Sequence, residues 1–380
     1  MRYVGSESLA PGVEYREFAL TGSHGPVYGH LLTVDLREPR AEVGLVYPGT
    51  VGARAAVSAL ADAGGAVGAV NGDFFNISET QHPGVAATGA PVGPAVADGR
   101  WLKAAVPDGQ RFGPPGPPGT GTRDVIGVGT DRTARIGSLT LRGTVHTKDG
   151  ALPLRGFNQY AVAENGIGAF TPVWGAASRV RATCGSDADR AAPCTSDTYE
   201  VTVTRGRVAK TAAVPGGGPI AADSVVLVGR EAGAGALRAL RVGDPVTVDS
   251  RPQSTSRVPF AFAVGGFPIV RDDEPLDGLD SAAAAVRTAA GIGDGGRRLY
   301  LLALDGDVDY RPGLTVAELA DTMLDLGADD AFNLDGGGST TLVTREAGSG
   351  RSTVRNHPSG GAERPVANGI GVFAGPRPQL

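Results

Sequence analysis

Leu299-Tyr300-Leu301-Leu302-Ala303-Leu304-Asp305-Gly306 and Ala331-Phe332-Asn333-Leu334-Asp335-Gly336-Gly337-Gly338-Ser339-Thr340-Thr341 are two apolar runs, each ending on an aspartate and glycine. Between them Thr315 and Glu318 form a capping box, and Val316, Leu319, Ala320, Met323 and Leu324 recur at helical spacing. Gly327 stands where a helix-ending glycine belongs. Strand, helix and strand make a βαβ unit with parallel strands and a right-handed crossover. Asp305 and Asp335 then share one end of the sheet, the end beyond which ligands gather in open α/β sheets. Three consecutive glycines beside Asp335 suit a binding turn, because glycine admits positive φ and close approach; a plain hairpin turn is the bland alternative.

Outward from this unit, other strands end the same way. Ala66-Val67-Gly68-Ala69-Val70 delivers Asn71-Gly72-Asp73-Phe74-Phe75, after a run of helix formers from Ala53 to Ala63 that stops at Gly64-Gly65. Pro259 to Val264 opens onto Gly265-Gly266, and Arg287-Thr288 lies among small residues. Residues 77–122, rich in proline, glycine and alanine, read as an extended surface loop. Short strands recur between residues 124 and 250, with a helix only around Ala234 to Leu240. A last strand runs from Glu363 to Phe373 and carries Arg364 and Asn368 toward the same cleft. These elements predict an α+β fold: a mixed β-sheet core with few helices, a C-terminal βαβ unit and a β-rich middle section.

The 35 basic and 40 acidic residues leave a net charge of −5 with no basic block, which argues against nucleic acid as a partner. No stretch is long and apolar enough for a membrane-spanning helix. The start, Met-Arg-Tyr-Val-Gly-Ser-Glu-Ser, lacks the apolar core of a signal peptide. Cys184 and Cys194 flank a polar stretch with no histidine nearby in sequence; they read as a loop-closing disulfide rather than free thiols or metal ligands, which favours an oxidising compartment. Asp305-Gly306-Asp307-Val308-Asp309 hints at calcium but lacks the EF-hand glycine and distal glutamate, so no metal or other cofactor is expected. Ser339 lies in no Gly-x-Ser-x-Gly elbow, and the glycine turn has no P-loop lysine.

Six blocks, in order, resemble the phosphodiester glycosidase family: Val-Asn-Gly-Asp-Phe-Phe at 70–75, Val-Gly-Gly-Phe-Pro-Ile-Val at 264–270, Arg-Thr-Ala-Ala-Gly-Ile at 287–292, Gly-Leu-Thr-Val-Ala-Glu-Leu-Ala at 313–320, Asn-Leu-Asp-Gly-Gly-Gly-Ser-Thr-Thr at 333–341 and Glu-Arg-Pro-Val-Ala-Asn at 363–368. Phe170 to Gly175 is the best anchor in the weaker middle. The resemblance implies a single domain over residues 1–380, with 124–250 as a section within it. It implies a hydrolase that cleaves the bond between a sugar's anomeric carbon and a phosphate, and a secreted or cell-surface location.

Such chemistry needs a carboxylate and cations for the phosphate. Asp73 and Asp335 are the candidates for nucleophile or base, in either order. Arg287 and Arg364 suit phosphate oxygens, since a guanidinium binds them in bidentate fashion. The amides of Gly336, Gly337, Gly338 and Ser339 suit an anion nest, with the Ser339 and Thr340 hydroxyls as further donors. Asn71, Asn333 and Asn368, with Thr288, suit sugar hydroxyls, although asparagines in turns are often structural. His82 and His357 are secondary candidates for an acid or sugar ligand. An ordinary exopolysaccharide glycosidase and a non-catalytic carbohydrate-binding protein are the competing expectations.

Overall fold

The computed structural model describes residues 1–310, 312–346 and 348–375. Strand accounts for 41% of the chain and helix for 10%, so the β-rich α+β reading holds. The largest sheet orders its strands Arg2–Ala10, Val13–Gly22, Gly25–Asp35, Arg298–Leu304, Thr288–Gly293, Asp330–Asn333, Phe267–Arg271 and Glu274–Pro275. Its centre is Arg298–Leu304, whose unbroken apolar run is buried from Leu299 onward, as a strand covered on both faces must be.

The βαβ expectation holds in direction but not in adjacency. Arg298–Leu304 and Asp330–Asn333 both run antiparallel to Thr288–Gly293, which lies between them, so they are parallel but unpaired. The intervening helix, Val316–Asp325, begins at the predicted capping box and is followed by Gly327 at φ 90°. Met323 and Ala328 press on Gly291 of the interposed strand Thr288–Gly293, where a side chain would collide with both.

A five-stranded sheet orders Thr353–Val354, Leu342–Thr344, Gly68–Asn71, Gly369–Ala374 and Ala41–Val46. The C-terminal strand is thus inserted here, beside Gly68–Asn71. The helix read from Ala53 to Ala63 begins later, at Val57, and ends at Gly65 with φ 71°. A seven-stranded sheet contains Asp124–Gly129, Phe260–Gly265 and Ala95–Ala97, and a further five-stranded sheet contains Thr198–Thr204 and Ser224–Arg230.

The surface-loop reading of 77–122 is overturned. Ala90 to Ala97 is buried, strands form at Ala95–Ala97 and Arg100–Lys103, and Leu102, Val106 and Phe112 join the main core. Its small residues mark close packing rather than exposure: a Cβ on Gly93 would lie 2.7 Å from the Gly265 Cα. The same core runs from Val13 to Val372 and includes Ile126, Tyr160 and Val226. From that shared core we infer that 124–250 is a section of one domain.

Candidate active site

The Asn71-Gly72-Asp73 turn leaves the end of Gly68–Asn71 and is held by Asn368, whose side-chain oxygen accepts from the Asp73 N–H (3.0 Å) and whose carbonyl accepts from the Gly72 N–H (2.9 Å). Asp73 is buried. Its Oδ2 accepts from the Gly93 N–H at 2.6 Å, while Oδ1 has no hydrogen-bond partner among the described residues. A Cβ on Gly265 would come within 2.5 Å of Oδ2, so glycine there lets three backbone segments meet at one carboxylate.

Behind Gly93 the buried Lys103 ammonium donates to the carbonyls of Val92 (3.2 Å), Gly93 and Ala104 (2.6 Å). Burial pushes the Asp73 carboxyl up, opposed first by the Lys103 charge; burial pushes Lys103 down, opposed by Asp73. Arg111 also bears on Asp73. Its guanidinium lies over the stacked rings of Phe74 and Phe267, 5.4 and 4.9 Å from their centroids, and donates to the carbonyls of Pro114 and Gly266.

Asp335 reaches the same place from the other sheet. The end of Asp330–Asn333 is pinned by Leu334 N–H to Thr288 O and by Asp335 N–H to Gly72 O, both 2.9 Å. The Asn71 amide completes the joint: its nitrogen donates to Asp335 O at 2.6 Å, and its oxygen accepts from the Thr288 hydroxyl (2.9 Å) and the Thr341 N–H (3.0 Å). The two aspartates are therefore tied through one residue. Asp73 bears on Asp335 electrostatically: burial lifts the Asp335 carboxyl to about 7, the negative Asp73 adds to the rise, and the Ser339 hydroxyl, Arg364 and the Gly336 N–H oppose it. Asp335 keeps some exposure, whereas Asp73 is buried.

The residues read as ligand donors divide. Asn71, Thr288 and Asn368 are engaged in joining strand ends, and the Thr288 and Thr340 hydroxyls share a further hydrogen bond (3.2 Å), so these side chains position the turns. The expected amide nest is largely closed by its own turn. Gly337 N–H donates to Val286 O, Ser339 N–H to Gly336 O and Thr340 N–H to Gly337 O, the pattern of a 3₁₀ turn over Gly337–Ser339. Arg364 packs directly over Gly338, where any side chain would displace the guanidinium, and donates to Ser339 Oγ at 3.3 Å. Arg287 donates to the carbonyls of Leu314 (2.9 Å) and Ala283 (2.6 Å); it is buried, and among the described residues no carboxylate forms an ion pair with it. Asn333 is buried with its Oδ1 unpartnered, like Asp73 Oδ1.

The histidines lie on two separate structures. His82 is buried between Glu79 Oε2 (2.6 Å) and Ala192 O (2.8 Å). It lies against the Cys184–Cys194 disulfide, a proximity that sequence spacing concealed. His82, Cys184 and Cys194 are the one trio with metal-ligand spacing among the described residues, and the two sulfurs are bonded to each other. His357 is exposed and bonded through Nδ1 to the buried Asp305 (2.9 Å), whose oxygens also face His30 and the N–H groups of Asp307 and His357. Those donors hold Asp305 well below the usual carboxylate range.

Lys103 and Arg111 were not among the residues singled out from the sequence. Both lie in the proline- and glycine-rich stretch, where no motif marks them, and a lone lysine at the end of a short strand carries no signal of its own.

The fold and cleft define a β-rich α+β scaffold in which two recessed carboxylates meet beside arginines. Residues 197–373 match the phosphodiester glycosidase family model, and the resemblance read from the motifs is shown over that stretch. No curated protein matches the chain. A Synechocystis protein of known structure superposes with a TM-score of 0.71 at 22% identity, over 96% of this chain and 62% of its own. The chain thus spans less than two thirds of that relative. A Burkholderia pseudomallei protein, described as exported, superposes with a TM-score of 0.67 at 23% identity, over 92% of this chain and 74% of its own. Both likenesses concern the fold. The catalytic domain of zebrafish N-acetylglucosamine-1-phosphodiester α-N-acetylglucosaminidase, auto-inhibited by its pro-peptide, aligns more loosely, with a TM-score of 0.47 at 16% identity over 98% of this chain and 88% of its own.

Proposed function

We propose that this protein hydrolyses a glycosyl C1–O–phosphate bond in a sugar-1-phosphodiester, releasing free sugar and a phosphomonoester. The observation that carries the reading is the meeting of Asp73 and Asp335 in one recess, with the Arg364 guanidinium beside the Asp335 turn. Arg287 supports it too, as a buried guanidinium without a carboxylate ion pair among the described residues.

In this reading Arg364 and Arg287 favour the phosphodiester anion, and Asn333 Oδ1 accepts from a sugar hydroxyl. As the C1–O bond lengthens, positive charge grows on the sugar ring and an ionised carboxylate stabilises it. The leaving phosphate needs little protonation, because its second pKa is about 6. One aspartate attacks C1 or removes a proton from the attacking water, and the other supports the developing charge. We place the protein outside the cytosol, secreted or at the cell surface, on the strength of the Cys184–Cys194 disulfide.

A second reading, an ordinary exopolysaccharide glycosidase, draws on Asp335 alone: a carboxyl raised to about 7 suits a general acid, which a sugar leaving group requires. Incubation with an α-GlcNAc-1-phosphodiester and with p-nitrophenyl glycosides separates the two. Sugar released only from the phosphodiester supports the first reading, and activity only on the p-nitrophenyl glycosides rejects it.

A further inference from the structure

Away from this cleft, three strands form a ribbon with Ala134–Thr147 in the middle, Gly150–Pro153 on one edge and Val246–Ser254 on the other. Directly opposed residues of antiparallel strands project on the same face. Arg142 is directly opposite Arg251. Pro153 is opposite Thr144, so Pro153 shares that face, and Arg155 follows it into the same hollow. Arg142, Arg155 and Arg251 together line this hollow of about 800 Å³.

Like charges directly across a strand pair repel and destabilise the sheet. Three arginines here face one acid. The single carboxylate lining the hollow, Asp249, is bonded to His146 at 3.0 Å, and Arg142 donates to the neutral Gln253 at 2.6 Å. The guanidinium groups of Arg155 and Arg251 have no hydrogen bond or ion pair among the described residues. A second hollow of about 420 Å³ shares Leu141, Leu154 and Arg155, adds Arg123, and extends the groove to Ala104, next to Lys103. Its acids Asp108 and Asp187 accept from the N–H groups of Thr122 and Glu164.

We infer that this ribbon face is a second binding site, for an anionic polysaccharide whose phosphate or carboxylate groups lie between Arg142, Arg155 and Arg251. Guanidinium forks match either oxyanion. The larger hollow also presents the hydroxyls of Thr144 and Ser250, which can exchange hydrogen bonds with the hydroxyls of a sugar chain. The inference stands on the ribbon alone and does not depend on the reaction proposed for the cleft.

Affinity electrophoresis of the full chain tests it, in gels containing dextran phosphate, carboxymethyl dextran, neutral dextran or a single-stranded oligonucleotide. Retardation by one or both charged dextrans is expected, and which one retards identifies the anion. Arg142→Gln/Arg251→Gln should weaken that binding at least about tenfold while leaving hydrolysis of a small soluble substrate unchanged. Arg251→Glu should also abolish binding, yet keep or raise the melting temperature, because it replaces a repulsive cross-strand pair by an attractive one. The inference is overturned by equal retardation in neutral dextran, by tighter binding to the oligonucleotide, by no retardation at all, or by undiminished binding in the variants. A melting temperature lowered by Arg251→Glu likewise overturns it, since the arginine then serves the fold.

Discussion

Two aspartates arrive at the cleft from different sheets, and their surroundings differ in kind. Asp73 is enclosed by backbone, with the Gly93 N–H on one oxygen and the Lys103 ammonium behind. Asp335 lies on a turn with the Ser339 hydroxyl and the Arg364 guanidinium and keeps some exposure. The difference teaches that burial lifts both carboxyls and is opposed differently at each, chiefly by the Lys103 charge at Asp73, and by the Ser339 hydroxyl and Arg364 at Asp335, which still stands at about 7. In the proposed reaction either carboxyl can serve as nucleophile or base, and single substitutions at each separate the roles.

The comparison is broken most directly at the carboxylates. Asp73→Asn and Asp335→Asn should each lower the rate at least about a hundredfold, roughly 2.7 kcal/mol of transition-state stabilisation. Near-normal turnover in either, measured on purified, folded variant, removes that residue from the mechanism.

Lys103→Met sharpens the Asp73 side. It removes the charge that favours ionised Asp73, so the carboxyl rises further and the acidic limb of the pH–rate profile moves to higher pH. Three carbonyls also lose their donor, and stability should fall by about 3 kcal/mol in chemical unfolding. An unmoved acidic limb would show that Asp73 does not titrate in the rate profile.

Next in size is the crowding at Gly265. Alanine there presses on the Asp73 oxygen and on Gly93, and should destabilise by about 1–3 kcal/mol while reducing activity; unchanged melting and turnover would argue against so tight an enclosure.

The Asp335 side predicts a pH signature. Its folded pKa, about 7, lies above the ordinary carboxyl value, so its contribution is fully present at low pH and is lost as pH rises through 7. Asp335→Asn stays neutral and should melt higher than wild type at about pH 8, with the gap closing toward about pH 5. A gap that widens on acidification would give Asp335 a lowered pKa instead. The smallest effect belongs to Ser339→Ala, which removes one hydrogen bond to Asp335 and one from Arg364, for about 1 kcal/mol in the rate barrier.

How much of this was legible follows the same division. The Asp335 turn announces itself, because a long buried strand, a capped helix and a glycine triplet each carry a local signal. The Thr315 and Glu318 cap and the Gly327 stop lie where the periodicity puts them. The interposed strand Thr288–Gly293 does not, since strand order is set by long-range pairing that no local pattern encodes.

The wall around Asp73 was obscure for another reason. Proline and glycine in 77–122 signal turns, yet here Gly93 and Gly265 are small so that backbones can touch. Composition alone does not separate those two uses of glycine. The hydrogen bonds of Asn71 and Thr288 were equally hidden: residue type suggested donors for sugar, and only folding showed those groups engaged with Asp335 O, Thr340 and Thr341.

The central claim concerns which bond breaks, and an isotope reports it directly. Hydrolysis of an α-GlcNAc-1-phosphodiester in heavy-oxygen water should place the label on C1 of the released sugar and leave the phosphomonoester unlabelled, because water oxygen bonds to carbon and the bridging oxygen departs with phosphorus. Label in the phosphomonoester would mean cleavage at phosphorus and would contradict the account.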